Sequence, residues 1–381
     1  MKIVLAPNAL KSSLTAVEAT DALAAGARAV LPDAELVRRP VTDGGDGLVQ
    51  VLADGLQAGT QSLPVTGPTG KRIAATWLYH RERRMAVIES AAASGLALLD
   101  PAGPAPMTAH TRGTGELILA ALDAGAQCIL LGIGGSAGTD GGMGMAQALG
   151  VIFRDARGRP LEAGGGQLAD VAEIDTSGLD ARLGCAQVQV LCDVDNPLLG
   201  PQGTAAVFAA QKGASATQIQ QLEAGLAQYA DVLEATFGRE LRNQPGAGAA
   251  GGLGAGALAF LGAELLPGAE TVLDLLDFDS TLEGADLVIT AEGQLDAQTA
   301  FGKAPAAVAR RARAAGLPCM VIAGRLGEGA DRLADTGITA IYALCEGAVS
   351  QQDAMQNAAR HLRDAAARAL REFSAGRKTG V

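Results

Sequence analysis

The stretch Asp286–Lys303, DLVITAEGQLDAQTAFGK, decides how the rest of the chain is read. Leu287, Val288 and Ile289 form a short apolar run, as a strand buried on both faces requires. Ala291, Glu292, Gly293 and Gln294 read as the loop that follows, and Asp296, Thr299 and Lys303 come next at roughly helical spacing. A strand that ends in a carboxylate-bearing loop and leads into a helix puts charge where open α/β sheets bind their ligands. Two carboxylates, a hydroxyl and an ammonium suit a metal–phosphate site. A solvated loop followed by a polar helix face is the other reading of the same residues.

Working outward, strand and helix signals alternate on both sides of this stretch. Strands are predicted at 286–290, 318–323 and 338–344, with helices at about 304–315, 327–335 and 350–373. At the other end of the chain, 2–6 and 35–40 read as strands around a helix that Thr15 and Glu18 start as a capping box. Together these give a flavodoxin-like parallel sheet over residues 1–64 plus 286–381. Between them the texture changes. Residues 61–66, 72–79 and 84–89 alternate apolar and polar side chains around short turns, which predicts an antiparallel meander. Further strands are expected at 126–131 and 187–192. Helices are expected over 111–123 and from Thr217 as cap, and Pro245–Gly256 reads as a glycine-rich loop. The fold class expected is therefore α/β with two domains: a flavodoxin-like parallel-sheet domain interrupted by a second, mixed α/β domain at 65–285.

Composition limits the function classes. With 381 residues, 48% hydrophobic but only 3% aromatic, the core must be built from Ala, Leu, Val and Ile. A net charge of −11 argues against a nucleic-acid partner, and so few aromatics leave no base-stacking platform. No apolar run reaches the ~18 residues of a membrane span, and Met1-Lys2 runs straight into Ile3-Val4-Leu5 without a signal-like segment. Five cysteines without a CxxC fit reduced thiols in a cytoplasmic protein.

Loops carry the chemistry. Gly132–Gly142 (GIGGSAGTDGG) follows a strand and precedes a helix, a context in which Gly134, Gly135 and their neighbours can offer backbone N–H groups to phosphate. Ser136 could add a hydroxyl, and Asp140 could hold Mg²⁺ or orient a substrate. Gly246–Gly251 matches GxGxxG but follows Arg242-Asn243-Gln244-Pro245, so it fails as a dinucleotide fingerprint; a loop over a nucleotide remains open to it. There is no Walker motif, and three scattered histidines exclude a His-based zinc site. Carboxylates stand at strand or loop ends (Asp43, Asp46, Asp140, Asp193, Asp195, Glu292, Asp296), with Lys11, Lys212, Lys303 and Arg325 as the nearby cations. That inventory supplies what metal-assisted phosphoryl transfer needs: carboxylates for Mg²⁺, a base, and cations on phosphate.

The ordered set Ala6–Leu14 (APNALKSSL), Thr42–Gly47 (TDGGDG), Gly132–Ala137 with Asp140–Gly142, Cys192–Leu198, Gln211–Gly213, Gly246–Gly254 and Ala291–Asp296 with Gly302-Lys303 resembles the bacterial type I glycerate kinase family over nearly the whole chain. The resemblance implies ATP- and Mg²⁺-dependent phosphorylation of D-glycerate in a cleft between the domains, to 2-phosphoglycerate in preference to 3-phosphoglycerate. On that reading Asp193, Glu292, Lys11 and Asp43 are the catalytic candidates, with Asp193 and Glu292 taking base or metal duties. Gly134, Gly135, Ser136, Asp140, Asp296, Thr299 and Lys303 would bind substrate or phosphate, and Gly248, Gly251 and Gly252 the nucleotide. The expected partner is a small molecule, and the expected assembly a monomer or homodimer. There are departures: where the family's first loop usually reads PDSFKGSL, this chain has Asn8, Ala9 and Ser12, and Asp46 stands for a glutamate. They leave open a kinase of another small hydroxy acid, or a non-catalytic sugar-acid sensor on the same scaffold.

Overall fold

The computed structural model describes residues 1–100, 103–295, 303–327, 336–345 and 349–378. In chain order, β1 (Lys2–Leu5) and β2 (Glu35–Arg38) flank α1 (Ala16–Val30). Then come α2 (Leu48–Gly55), β3 (Thr60–Thr66), β4 (Arg72–His80), β5 (Met85–Glu89), α3 (Ser90–Ser94), α4 (Arg112–Asp123), β6 (Cys128–Gly132) and α5 (Met143–Ala148). A small ribbon of β7 (Ile152–Arg154) and β8 (Glu173–Asp175) precedes β9 (Gln187–Leu191), α6 (Thr204–Phe208), α7 (Ala216–Phe237), α8 (Ala249–Leu261) and β10 (Glu264–Leu266). The chain ends with α9 (Gly268–Leu275), α10 (Phe278–Leu282), β11 (Leu287–Leu295), α11 (Ala304–Ala314), β12 (Cys319–Leu326), β13 (Ile338–Ala343), α12 (Gln351–Gln356) and α13 (Ala358–Lys378). The protein is thus an α/β protein.

Contacts divide the chain into two compact units, Met1–Asp43 with Ala269–Val381, and Gly44–Gly268. The sequence reading draws its boundaries at 64/65 and 285/286. The contact boundaries fall earlier for a packing reason. α2 follows β2 in the chain, yet β3 belongs to the sheet of β4 and β5, and Ala269, Leu273, Phe278 and Leu282 share a core with Val288 and Val308.

In the first unit the described strands form one parallel sheet in the order β13-β12-β11-β1-β2. Counted within the unit, that is the doubly wound order 2-1-3-4-5. Alternate residues point to opposite faces. Ile3, Leu5, Leu287, Ile289, Met320 and Ile322 pack under α1 and α13, while Val4, Val288, Cys319 and Val321 pack under α11 and the α9–α10 segment. Such two-sided burial explains why these strands read as continuous apolar runs. The capping box forms as expected: Thr15 Oγ1 accepts the Glu18 N–H at 3.2 Å, and the Glu18 carboxylate accepts the Thr15 N–H at 2.8 Å.

In the second unit the described strands order as β10-β9-β6-β5-β4-β3. β3, β4 and β5 are the expected antiparallel meander, and β5, β6, β9 and β10 run parallel. Three sequence expectations are corrected. β11 does not end at 290; it pairs with β12 as far as Leu295–Leu326, so Glu292 sits inside a strand, not in a loop. α7 is capped by Ser215 with Gln218 in a capping box, not by Thr217, because Ser215 has the extended backbone of an N-cap. Pro245–Gly256 is not one loop: α8 begins at Ala249, kinked where Ala250, Gly251 and Gly252 take left-handed φ of 53°, 75° and 83°. The helix expected over 327–335 lies almost wholly outside the described residues.

Candidate active site

A doubly wound sheet opens a crevice at the carboxyl ends of the two strands where the winding reverses. Here those strands are β1 and β11, and their ladder runs past the end of β1: the Ala6 N–H donates to Ile289 O at 2.8 Å and the Asn8 N–H to Ala291 O at 3.0 Å. That register sets Asn8 beside Glu292. Asn8 Nδ2 donates to Glu292 Oε2 at 2.9 Å. Asn8 Oδ1 accepts the Ala9 N–H at 2.8 Å, which fixes the amide so that nitrogen faces the carboxylate. Both side chains are buried, Asn8 at 4% and Glu292 at 6% exposure.

Burial, and then the negative charge of Asp43, push the Glu292 carboxyl up to about 7; the Asn8 hydrogen bond and the Lys11 and Lys303 ammonium groups restrain the rise. Four charged or polar groups named from the sequence therefore converge electrostatically on one acid. Asp43 arrives because the chain leaving β2 runs along the β1 exit, with the Val41 N–H donating to Pro7 O at 3.0 Å. Next to Asp43, Thr42 Oγ1 is buried with no hydrogen-bond partner among the described residues, the kind of atom a water or ligand satisfies. Lys303 stands at the N-cap of α11, and the backbone of Lys11 passes 3.3 Å from where a Cβ on Gly293 would lie. Asp296 and Thr299 lie outside the described residues.

In the second unit, the glycine loop leaves the carboxyl end of β6. Gly134 and Gly135 are exposed, whereas Ser136 is buried. Asp140 is fully buried and works inward. Its Oδ2 accepts Thr111 N–H at 2.8 Å, Thr111 O–H at 2.9 Å and Gly144 N–H at 3.0 Å, and its Oδ1 accepts Gly142 N–H at 3.2 Å. It ties the loop to the start of α4. Lys212, absent from the sequence-based site beyond a mention among nearby cations, donates to Ser136 Oγ at 2.8 Å and to Gly138 O. Burial lowers Lys212 to about 8, with Asp140 opposing the fall.

Gly248, Gly251 and Gly252 are buried too. A Cβ at Gly251 would stand 2.0 Å from Gly138 O, and one at Gly248 2.1 Å from Pro197 O. Close backbone approach accounts for both glycines. Asp193 is exposed on the loop after β9, where its Oδ1 accepts the Gly268 N–H at 2.7 Å. Glu89, another acid that the sequence did not single out, accepts N–H bonds from Gly47 at 3.3 Å and Val49 at 2.6 Å. Asn8 and Lys212 were legible only as polar residues in short loops; their partners lie 284 and 76 residues away.

Fold and geometry together define an α/β protein with a doubly wound sheet in its first unit, a buried carboxyl of raised pKa at that sheet's switch point, and a glycine-rich loop at the carboxyl end of β6 in the second unit. The family model for the glycerate kinase family matches residues 3–374. A glycerate kinase of Bacillus subtilis strain 168 is 46% identical over 95% of each chain. A glycerate 2-kinase of Escherichia coli K12 is 44% identical over 90% of each. The crystal structure of a protein provisionally described as glycerate kinase 2, from Salmonella typhimurium LT2, superposes with a TM-score of 0.85 at 42% identity, covering 99% of both chains. The chain belongs to the glycerate kinase family. It is a phosphotransferase with an alcohol acceptor that acts on a small molecule. Among the described residues no helix is long and apolar enough to cross a membrane.

Proposed function

We propose that the protein transfers the γ-phosphoryl group of ATP to D-glycerate, with Glu292 as general base. The observation that supports this most is the buried Asn8–Glu292 pair at the sheet switch point. A carboxyl poised at about 7 exchanges a proton near neutrality, as a base for an alcohol must. The acceptor oxygen attacks the γ-phosphorus, its proton passes to Glu292, and ADP leaves. Lys11 and Lys303 already act on this acid electrostatically; they would draw in the glycerate carboxylate and steady the transferring phosphoryl group. Thr42 and Asp43, on the chain that leaves β2 past the exit of β1, would orient the acceptor.

ATP reacts as its Mg²⁺ complex in this reading. Among the described residues no three His, Cys, Asp or Glu side chains converge. An ion that comes with the nucleotide needs only one or two carboxylates beside phosphate oxygens and water. Asp193, exposed and anchored by the Gly268 N–H, has the chemistry to be such a ligand. When bound, Mg²⁺ neutralises phosphate charge. The Escherichia coli relative is a glycerate 2-kinase, which supports 2-phosphoglycerate as product. Coupled detection of ADP release with D-glycerate and MgATP tests the reading, and phosphorus NMR of the product tests the position. No turnover above the glycerate-free rate would refute it.

A further inference from the structure

The Gly132–Gly142 loop is braced by one buried cation. Lys212 comes from the short turn Ala210–Lys212 and is 3% exposed. Its ammonium spends protons on Ser136 Oγ, at 2.8 Å, and on the Gly138 carbonyl. Asp140, fully buried in the same loop, supplies the counter-charge while its own oxygens hold the backbone of Gly142 and Gly144. Taking an ammonium out of water costs several kcal/mol, and an apolar side chain of similar volume would pack there without that cost. The charge therefore has a use beyond packing. Because Ser136 Oγ accepts from Lys212, its own proton is left for another acceptor. A hydroxyl that already accepts from a cation is a stronger donor to the next oxygen. Gly134 and Gly135, the two residues before it, are exposed, so a ligand can reach this stretch of backbone.

We propose that Lys212 is a positioning residue of the reaction: acting through Ser136, it shapes the loop and turns the Ser136 hydroxyl toward an anionic oxygen of a substrate, a carboxylate or a phosphate. The proposal rests on the kinase reading above for the identity of the substrates, though not for the binding itself. It is tested with Ser136→Ala, Lys212→Met and the double variant. D-glycerate alone and MgATP alone are titrated by calorimetry, and KM and kcat are measured for each.

The two single variants should weaken the same ligand by about 10- to 100-fold, the range for a lost hydrogen bond to a charged group. The double variant should be no worse than the weaker single, because the lysine works through the serine. Loss confined to D-glycerate assigns the carboxylate; loss confined to MgATP assigns the phosphate. A lysine with only a structural role would lower thermal stability and give losses that multiply in the double variant, which overturns the proposal. If Lys212→Met does not fold, Ser136→Ala and Lys212→Gln decide. A Ser136→Ala protein that binds both ligands within about twofold of wild type overturns it. A wild type that binds its ligands without turnover defeats the kinase reading alone, since the binding arms still report on Lys212. A wild type that binds neither ligand overturns both.

Discussion

A buried acid in one unit, Glu292, and a buried amine in the other, Lys212, are treated in opposite ways. Among the described residues Glu292 meets one side-chain donor, Asn8, and the charge of Asp43 opposes its own. Lys212 meets a hydroxyl, a carbonyl and a buried counter-ion whose oxygens are taken up by the loop. Burial drives both toward neutrality, the acid up to about 7 and the amine down to about 8. The difference lies in the company. A carboxyl poised at about 7 can give and take a proton; a cation enclosed by its own scaffold holds shape and field. Burial alone does not mark a catalytic group; the charges and donors set around it are the better guide.

The strongest way to break that contrast is Glu292→Gln. It keeps the volume and the contact with Asn8 but cannot accept the proton. kcat/KM should fall by about 10²- to 10⁴-fold, the range for losing a general base, and the rise of rate with pH through about 7 should vanish. Near-full activity in the coupled assay would end the base assignment. On the other side, Gly251→Ala tests whether the glycine loop is a fixed scaffold. Its φ is +75° and the new Cβ would lie 2.0 Å from Gly138 O. Left-handed strain and overpacking together should cost about 2–4 kcal/mol. Denaturant unfolding measures this, and an unchanged midpoint would mean the loop yields freely.

Stability against pH sharpens the same contrast, because the two groups slope in opposite directions. Glu292 has a folded value raised from 4.5 to about 7, so its contribution is fully present below 4.5 and is lost as pH rises through about 7. The size is up to roughly 3 kcal/mol. Lys212 is lowered from 10.5 to about 8, so its contribution is present above 10.5 and is lost as pH falls through about 8. Glu292→Gln should flatten the first window and leave the second. Urea unfolding at about pH 5, 7 and 9 reads both windows, and a wild-type curve flat between about pH 5 and 7 would count against a raised Glu292.

Much of the fold was legible because local signals and tertiary outcome agree. Ile3-Val4-Leu5 and Leu287-Val288-Ile289 are apolar at successive positions because helices cover both faces of their sheet. The meander at β3–β5 was legible from its alternation, since only one kind of structure has a period of two. Less legible was whatever depends on pairing at a distance. Nothing in Ala291-Glu292-Gly293 says that the strand continues; partner β12 decides it. Gly248 and Gly251 look like ligand glycines because a glycine that admits a neighbouring backbone and one that admits a phosphate carry the same letter. At the site, Glu292, Asp43, Lys11 and Lys303 were legible as charged residues in loops next to apolar runs. Asn8 was read only as a departure, because an uncharged side chain announces itself by its partner, and that partner is 284 residues away.

Asn8 also supplies the finest test. Among the described residues its amide is the one side-chain hydrogen bond that holds the Glu292 carboxyl down. Asn8→Asp removes that donor and puts a second carboxylate at hydrogen-bond distance in a buried site. Two such groups cannot both ionise, so the pair would share a proton and release it as a unit at higher pH. The acid limb of kcat/KM should move up by about one unit, costing about tenfold near neutrality and recovering as the pH rises. Mere structural damage would lower the rate by the same factor at every pH. An aspartate is what the related first-loop sequence usually carries at this position, so the variant should fold and turn over, with its optimum displaced. If the limb stays in place, Glu292 takes its proton affinity from burial and Asp43 alone. The contrast between the two buried groups would then rest on their surrounding charges, with no part left for the amide.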